Sequence, residues 1–194
     1  SFGRTTIMGG IGGIVWQGFE DRMQITSEAV VSMKHRGPDE GAFYIDEFVG
    51  LVHARLSIVD NAGGKQPFYV PNHDQILIYN GEIYNYDYLK NMLSVRGVNL
   101  KSHSDTELLF HLLFCFGKEI LPSINGQFAF CYYNPLEKSL LLARDAFGEK
   151  PLFYMKKNGH LAFASEVKTL IKLVSFEPKI CSKQLNSLQR YWAC

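Results

Sequence analysis

Five short stretches carry residue types capable of ligand chemistry. In HARLSIVD (His53 to Asp60), strand alternation puts His53, Arg55 and Ser57 on one face, opposite Leu56 and Ile58. A guanidinium projecting from a rigid strand suits a carboxylate, because its planar fork binds both oxygens at once. The plainer alternative is a surface arginine on a half-exposed strand. YNGEIYN (Tyr79 to Asn85) sets Asn80-Gly81 at the end of an apolar strand. Asn-Gly is a strong hairpin signal, but a helical pattern follows here rather than a partner strand. The other use of the pair is chemical: an Asn amide beside a glycine N–H offers two donors to a developing oxyanion. SDTE (Ser104 to Glu107) reads as a capping box that starts a helix. Asp105 already has a reason to sit in a first helical turn, and it could equally hold an ammonium group. HRGPDE (His35 to Glu40) is a polar cluster stiffened by Gly-Pro, with a charged turn as its plain reading.

The fifth stretch, MGGIGGI (Met8 to Ile14), packs four glycines into five positions. A phosphate-binding P-loop would need Gly-Lys-Ser or Gly-Lys-Thr to follow, and it does not. A dinucleotide fingerprint would need a strand before the glycines, whereas here the strand comes after them. Neither phosphate reading survives its context.

These residues must be placed by a mixed set of elements. Ile11 to Trp16 reads as a buried strand, Ser27 to Lys34 as a short helix ended near Gly37-Pro38, and Ala42–Asp46 and Val49–Ser57 as strands around an acidic turn. Residues 61–75 read as a loop, followed by strand Gln75 to Tyr79. Helices are expected from Tyr84 to Arg96, closed by Gly97, and from Ser104 onward. Four strands in meander style come next (Gln127–Tyr133, Ser139–Arg144, Pro151–Lys156, His160–Ala164), then the helix EVKTLIKL and a polar tail with one more short helix. Strands and helices do not alternate strictly, which predicts α+β rather than a doubly wound parallel sheet.

Composition narrows the function classes. The 194 residues are 46% apolar and 20% charged with net charge +1, so no basic patch points to nucleic acid and no charge excess to a membrane surface. No apolar run approaches the roughly 18 residues of a membrane span. Cys115, Cys131, Cys181 and Cys194 have neither CxxC spacing nor the density of a disulfide scaffold, which suits reduced thiols in the cytoplasm. Residues 1–7 read as a tag remnant, leader or upstream sequence, with Met8 a candidate start. The apolar ending LQRYWAC reads as a cut inside a longer chain.

In order along the chain, IGGI, HRGPDE, HARLSIVD, KQPF, YNGEIYN, SDTE, GQFAF, LLARDAFGEKPLFY and FASEVKTL closely resemble the class II glutamine amidotransferase domain of glutamine-hydrolysing asparagine synthetases, from Met8 to about Leu173. The resemblance implies a four-layer αββα sandwich of the N-terminal nucleophile hydrolase type, with two mostly antiparallel sheets between helical layers. It implies a leader or extension at 1–8, the amidotransferase domain at 9–175, and a tail at 176–194 leading toward a synthetase domain. It gives Arg55 the glutamine α-carboxylate, Asp105 with Glu82 the α-ammonium, and Asn80 with Gly81 the oxyanion hole. HRGPDE and KQPF would shape and close the pocket, while Arg144, Asp145 and Lys150 would support folding and the contact with the synthetase domain. The implied partners are glutamine and that C-terminal domain, with an oligomer allowed; ATP and Mg²⁺ belong to the absent domain, and no cofactor or metal is expected in this chain.

The departure is at the nucleophile. The family begins Met-Cys-Gly-Ile, and after Met removal the cysteine thiolate attacks glutamine while its own α-amine, with an ordinary pKa near ~7.8, serves as base. Here that position is Gly9, so the expectation is a domain that binds glutamine without hydrolysing it. Deliberate substitution, natural loss that leaves a docking domain for a synthetase using another amine, and an uncleaved leader all give that pattern.

Overall fold

The β-branched, glycine-punctuated run GIGGIV forms β1 (Gly10–Val15), the middle strand of a five-stranded sheet. The computed structural model describes residues 9–16, 22–36, 40–55, 65–157 and 160–174, with Glu40, Arg55 and Lys157 described by backbone alone. In chain order, the remaining elements begin with α1 (Arg22–Ser32), β2 (Glu40–Ile45), β3 (Val49–Arg55) and β4 (Ile76–Ile83). Next come α2 (Tyr86–Val95), α3 (Asp105–Phe116) and a 3₁₀ turn over Gly117–Ser123. The chain then forms β5 (Gly126–Asn134), β6 (Ser139–Arg144), β7 (Phe153–Lys157), β8 (His160–Ala164) and α4 (Val167–Val174).

The strands form two antiparallel sheets, ordered β2-β3-β1-β8-β7 and β4-β5-β6. Three apolar clusters separate four layers. Ile14, Trp16, Ala29, Met33, Leu170 and Leu173 pack α1 and α4 on the outer face of the five-stranded sheet. Leu77, Leu89, Leu93, Phe110 and Phe130 pack α2 and α3 on the outer face of the other. Ile11, Leu51, Ile76, Ile78, Cys131 and Phe163 fill the space between the sheets. This is the expected αββα sandwich. Among the described residues, no helix is long and apolar enough to cross a membrane.

Several element boundaries correct the sequence reading. Asn80-Gly81 lies inside β4, which pairs with β5 from Ile76↔Tyr133 through Ile83↔Gly126. A Cβ on Gly81 would stand 2.3 Å from the Gln127 carbonyl oxygen, so glycine here permits close strand approach rather than a turn. Helix α1 begins at Arg22, and Ser27 is no cap: its hydroxyl folds back onto the Gln24 carbonyl at 2.9 Å. The last four strands are not one meander but two hairpins in different sheets, β5-β6 and β7-β8. Ser104 does cap α3, accepting from Thr106 N–H at 3.1 Å. Glu107 does not reciprocate; its buried carboxylate accepts from Lys101 N–H and Ser102 N–H, both at 2.8 Å, and pins the preceding loop. Ser57, Gly37-Pro38, Cys181, Cys194, the leader and the tail helix lie outside the described residues.

Candidate functional site: a sheet edge facing position 9

Strand β4 is an edge strand, so half of its N–H groups face away from β5 and need partners elsewhere. Leu77 N–H donates to the Phe68 carbonyl at 2.9 Å and Tyr79 N–H to Gln66 Oε1 at 2.6 Å. Ile83 N–H donates to Asp105 Oδ2 at 2.9 Å. Gly81 N–H points the same way by alternation, since its β5 partner Phe128 turns both its backbone groups toward Asp145. Among the described residues it has no cap. One donor on an otherwise capped edge is therefore left for a ligand.

The adjoining side chain is in the same condition. Asn80 is 7% exposed, and its Nδ2 is buried with no hydrogen-bond partner among the described residues. Alternation turns Asn80 and Glu82 to the face of Ile76 and Ile78, into the space between the sheets. Gly9 meets it from the other sheet: a Cβ built on Gly9 would stand 2.9 Å from Asn80 Oδ1 and 3.5 Å from the Ala54 carbonyl. Any side chain at position 9 thus points at the Asn80 amide. The Gly9 carbonyl is held from the side by Arg36 Nε at 3.1 Å.

Two carboxylates flank this edge. Asp105, at the start of α3, has a pKa raised by burial; the Ile83 N–H opposes that rise and the nearby Glu82 charge adds to it. Glu82 accepts from Gln127 Nε2 at 3.3 Å. Among the described residues neither carboxylate has a cation partner, and a pair of carboxylates suits an ammonium group. The phenol of Tyr79 is 4% exposed, has no partner among the described residues, and is pushed well up by burial and by the Asp105 and Glu82 charges.

Each predicted site residue can now be placed. Gly9 meets Asn80 between the sheets, Glu82 shares that face of β4, and the Gly81 N–H and Asp105 lie along the adjoining outward edge of the same strand. Arg55 ends β3 with its backbone opposite Glu40, one step past the Ala54↔Gly10 pair; its side chain lies outside the description. Cys115 and Cys131 are free thiols, Cys115 on α3 and Cys131 fully buried in β5, and burial raises both pKa values. Neither stands at position 9. Among the described residues no group of three or more His, Cys, Asp or Glu is arranged to hold a metal ion. Gln66 and Arg36 were missed as individual actors. Both sit in polar loops whose side chains cap backbone groups far away in sequence, and no local pattern announces that.

A family profile described as the glutamine amidotransferase domain matches residues 8–193. Asparagine synthetase [glutamine-hydrolyzing] 1 of Bacillus subtilis strain 168 is 38% identical over 151 residues, 78% of this chain and 24% of the relative. Asparagine synthetase [glutamine-hydrolyzing] 2 of Oryza sativa subsp. japonica is 36% identical over 171 residues, 82% of this chain and 28% of the relative. The chain thus spans about a quarter of the length of the curated relatives it matches. Among solved structures, glutamine phosphoribosylpyrophosphate amidotransferase from B. subtilis, complexed with ADP and GMP, superposes with a TM-score of 0.68 at 25% identity, covering 86% of this chain and 43% of that one. An allosteric regulatory enzyme of purine biosynthesis gives a TM-score of 0.66 at 26% identity, covering 85% of this chain and 43% of that one. On the strength of the profile and these relatives, the chain belongs to the class II glutamine amidotransferase domain family.

Proposed function

We propose that this chain is the glutamine-binding domain of an asparagine synthetase-type enzyme, and that with Gly9 in place of the nucleophile it binds glutamine without hydrolysing it. The observation that carries the reading is the convergence at position 9. The missing side chain would point at Asn80, whose Nδ2 is buried and has no partner among the described residues, beside the Gly81 N–H of the β4 edge, likewise uncapped among them.

The roles are those the family resemblance implies, and donor and acceptor chemistry agrees with them. Asp105, with Glu82 beside it, takes the α-ammonium of glutamine, and Arg55 takes the α-carboxylate. The side-chain amide then extends toward Asn80 Nδ2 and Gly81 N–H, which donate to its carbonyl oxygen. With cysteine at position 9, the thiolate would add to the amide carbon and push charge onto that oxygen, to which Asn80 Nδ2 and Gly81 N–H would donate. Ammonia would leave, protonated by the ammonium form of the cysteine's own α-amine, and water would hydrolyse the thioester to glutamate. Glycine has no atom to begin that sequence, so the bound amide stays intact. In the whole protein the ammonia would pass to a synthetase domain that uses ATP and Mg²⁺ to amidate aspartate. That domain is a partner outside this chain.

Two measurements test the reading. Isothermal titration should detect glutamine binding to the chain as it stands, and absence of heat at millimolar glutamine would remove the proposal. A glutaminase assay should show ammonia release only from a Gly9→Cys chain processed to begin at that cysteine. Equal release from both chains would place the nucleophile elsewhere.

A further inference from the structure

The β1 ladder is incomplete beside position 9. Strand β8 pairs with β1 from Val15↔Leu161 only as far as Gly12↔Ala164. One step on, Ile11 still presents its N–H and carbonyl to that side, and both are taken by Ser165: Ile11 N–H donates to Ser165 Oγ at 3.0 Å, and Ser165 N–H donates to the Ile11 carbonyl at 2.8 Å. Two residues further on, the Gly9 carbonyl faces the same side, and the donor it finds is Arg36 Nε at 3.1 Å. Arg36 is itself held: its Nη1 donates to Glu166 Oε1 at 2.9 Å, with 12% of the Arg36 side chain exposed. The other Glu166 oxygen meets His35 Nε2 at 2.9 Å. A Cβ on Gly10 would lie 3.4 Å from Arg36 Cδ, so the glycine leaves room for the arginine stem to lie flat on β1.

We propose that Ser165 and Glu166, where β8 gives way to α4, are the positioning residues of the glutamine site, setting position 9 against Asn80 by completing the ladder that β8 leaves unfinished. Ser165 fixes Ile11 directly, and Glu166 fixes the Gly9 carbonyl by orienting the Arg36 guanidinium. The polar contacts described for their side chains are to Ile11, Arg36 and His35, not to Asn80, Gly81 or Asp105. Their action is geometric: they hold the backbone from which the position 9 side chain springs, and small displacements of a reacting group cost large factors in rate. This inference rests on the glutamine-site reading above for its catalytic consequence, but the clamp itself exists in the chain as it stands.

The experiment has two arms. In the first, the unaltered chain is labelled with ¹³C′ and ¹⁵N glycine, so that carbonyl–amide correlations arise only from the Gly-Gly pairs 9–10, 12–13 and 63–64. Glu166→Ala should move the Gly9 carbonyl resonance upfield as its hydrogen bond loosens and leave the Gly12 carbonyl in place. Glu166→Gln, which keeps an acceptor for Arg36, should move it in the same direction by less, and it carries this arm if the alanine variant does not fold. In the second arm, the same changes are made in the processed Gly9→Cys chain. Glu166→Ala should lower kcat by about ten- to a hundredfold while KM for glutamine stays within about twofold, with partial recovery in Glu166→Gln. An unmoved Gly9 carbonyl, or a kcat unchanged by Glu166→Ala, overturns the proposal. If the Gly9→Cys chain releases no ammonia at all, the glutamine-site reading fails, and the carbonyl shift still decides the clamp.

Discussion

Position 105 joins structure to function most directly at the residue scale. Burial raises the Asp105 pKa, so its ionised form is a cost to the empty domain. The sign follows from linkage: a carboxyl whose folded pKa lies above its unfolded value adds stability at low pH and loses it as pH rises through the folded pKa. An ammonium ligand reverses that cost, because it pairs with the ionised form alone. Glutamine affinity should therefore fall as pH drops through the raised Asp105 pKa, approaching about tenfold per pH unit below it, with a proton released on binding. Titration calorimetry across the acid range, in buffers of different ionisation enthalpy, measures both. An Asp105→Asn variant should bind weakly and lose this pH dependence. Affinity that stays flat on acidification would show that Asp105 is not the ammonium partner.

Elements matter here through how closely they approach. Strand β4 carries the Asn80 side chain and the Gly81 N–H, and two glycines set its distance from β5. A Cβ on Gly81 would meet the Gln127 carbonyl at 2.3 Å, and a Cβ on Gly126 would meet the Glu82 carbonyl at the same distance. Backbone cannot yield as a side chain can, so Gly81→Ala must push the strands apart at the point that carries both donors. The expected cost is about 1–3 kcal/mol of stability, read from the urea midpoint, together with loss of glutamine binding. An alanine variant with full stability and affinity would contradict the close-approach account. The turn before β7 is fixed in a different way. Burial alone would raise the Asp145 pKa, but the N–H groups of Lys150, Glu149, Phe128 and Gly148 outweigh it and hold the carboxyl low. That accounts for the folding role expected of the DAFGEK stretch.

Across the whole molecule the two sheets are tied at the end remote from the site. Asp46, in the turn between β2 and β3, accepts from Phe48 N–H at 2.7 Å and Val49 N–H at 2.8 Å through Oδ1. Its Oδ2 accepts from Tyr44 Oη at 3.1 Å and, across the sheets, from Tyr133 Oη at 2.9 Å. Burial and the Asp46 charge push the Tyr44 phenol up to about 12 and raise Tyr133 as well, so both stay protonated donors. Along β1 and β3, the Val15↔Val49 pair beside this tie and the Gly10↔Ala54 pair beside the site are five residues apart, about 17 Å of strand. Asp46→Ala should cost about 2–4 kcal/mol in urea denaturation, because it strands two phenols and two backbone donors. Glutamine affinity should be unchanged. A parallel loss of affinity would mean that the two ends of the sandwich are coupled.

The sequence by itself determined the family and the fold class. The ordered motifs marked the family, and apolar periodicity marked the elements of the α+β sandwich. The same motifs nominated Arg55, Asn80, Gly81, Glu82, Asp105 and position 9 as the proposed site. Local signals failed where the partner is distant. Asn-Gly read as a strand end because nothing nearby in sequence reveals that Gly126 sits opposite Glu82 and lets β4 continue. The capping box read as closed because the donors to Glu107 lie upstream of the helix rather than at its cap. Only the tertiary structure decided that position 9 faces Asn80, that among the described residues three of the outward N–H groups of β4 are capped while that of Gly81 is not, and that Ser165 and Glu166 finish the ladder of a strand more than 150 residues away. These are matters of unpaired backbone groups at sheet edges. Which side chain reaches them is set by packing of the layers, and periodicity along the chain does not encode it.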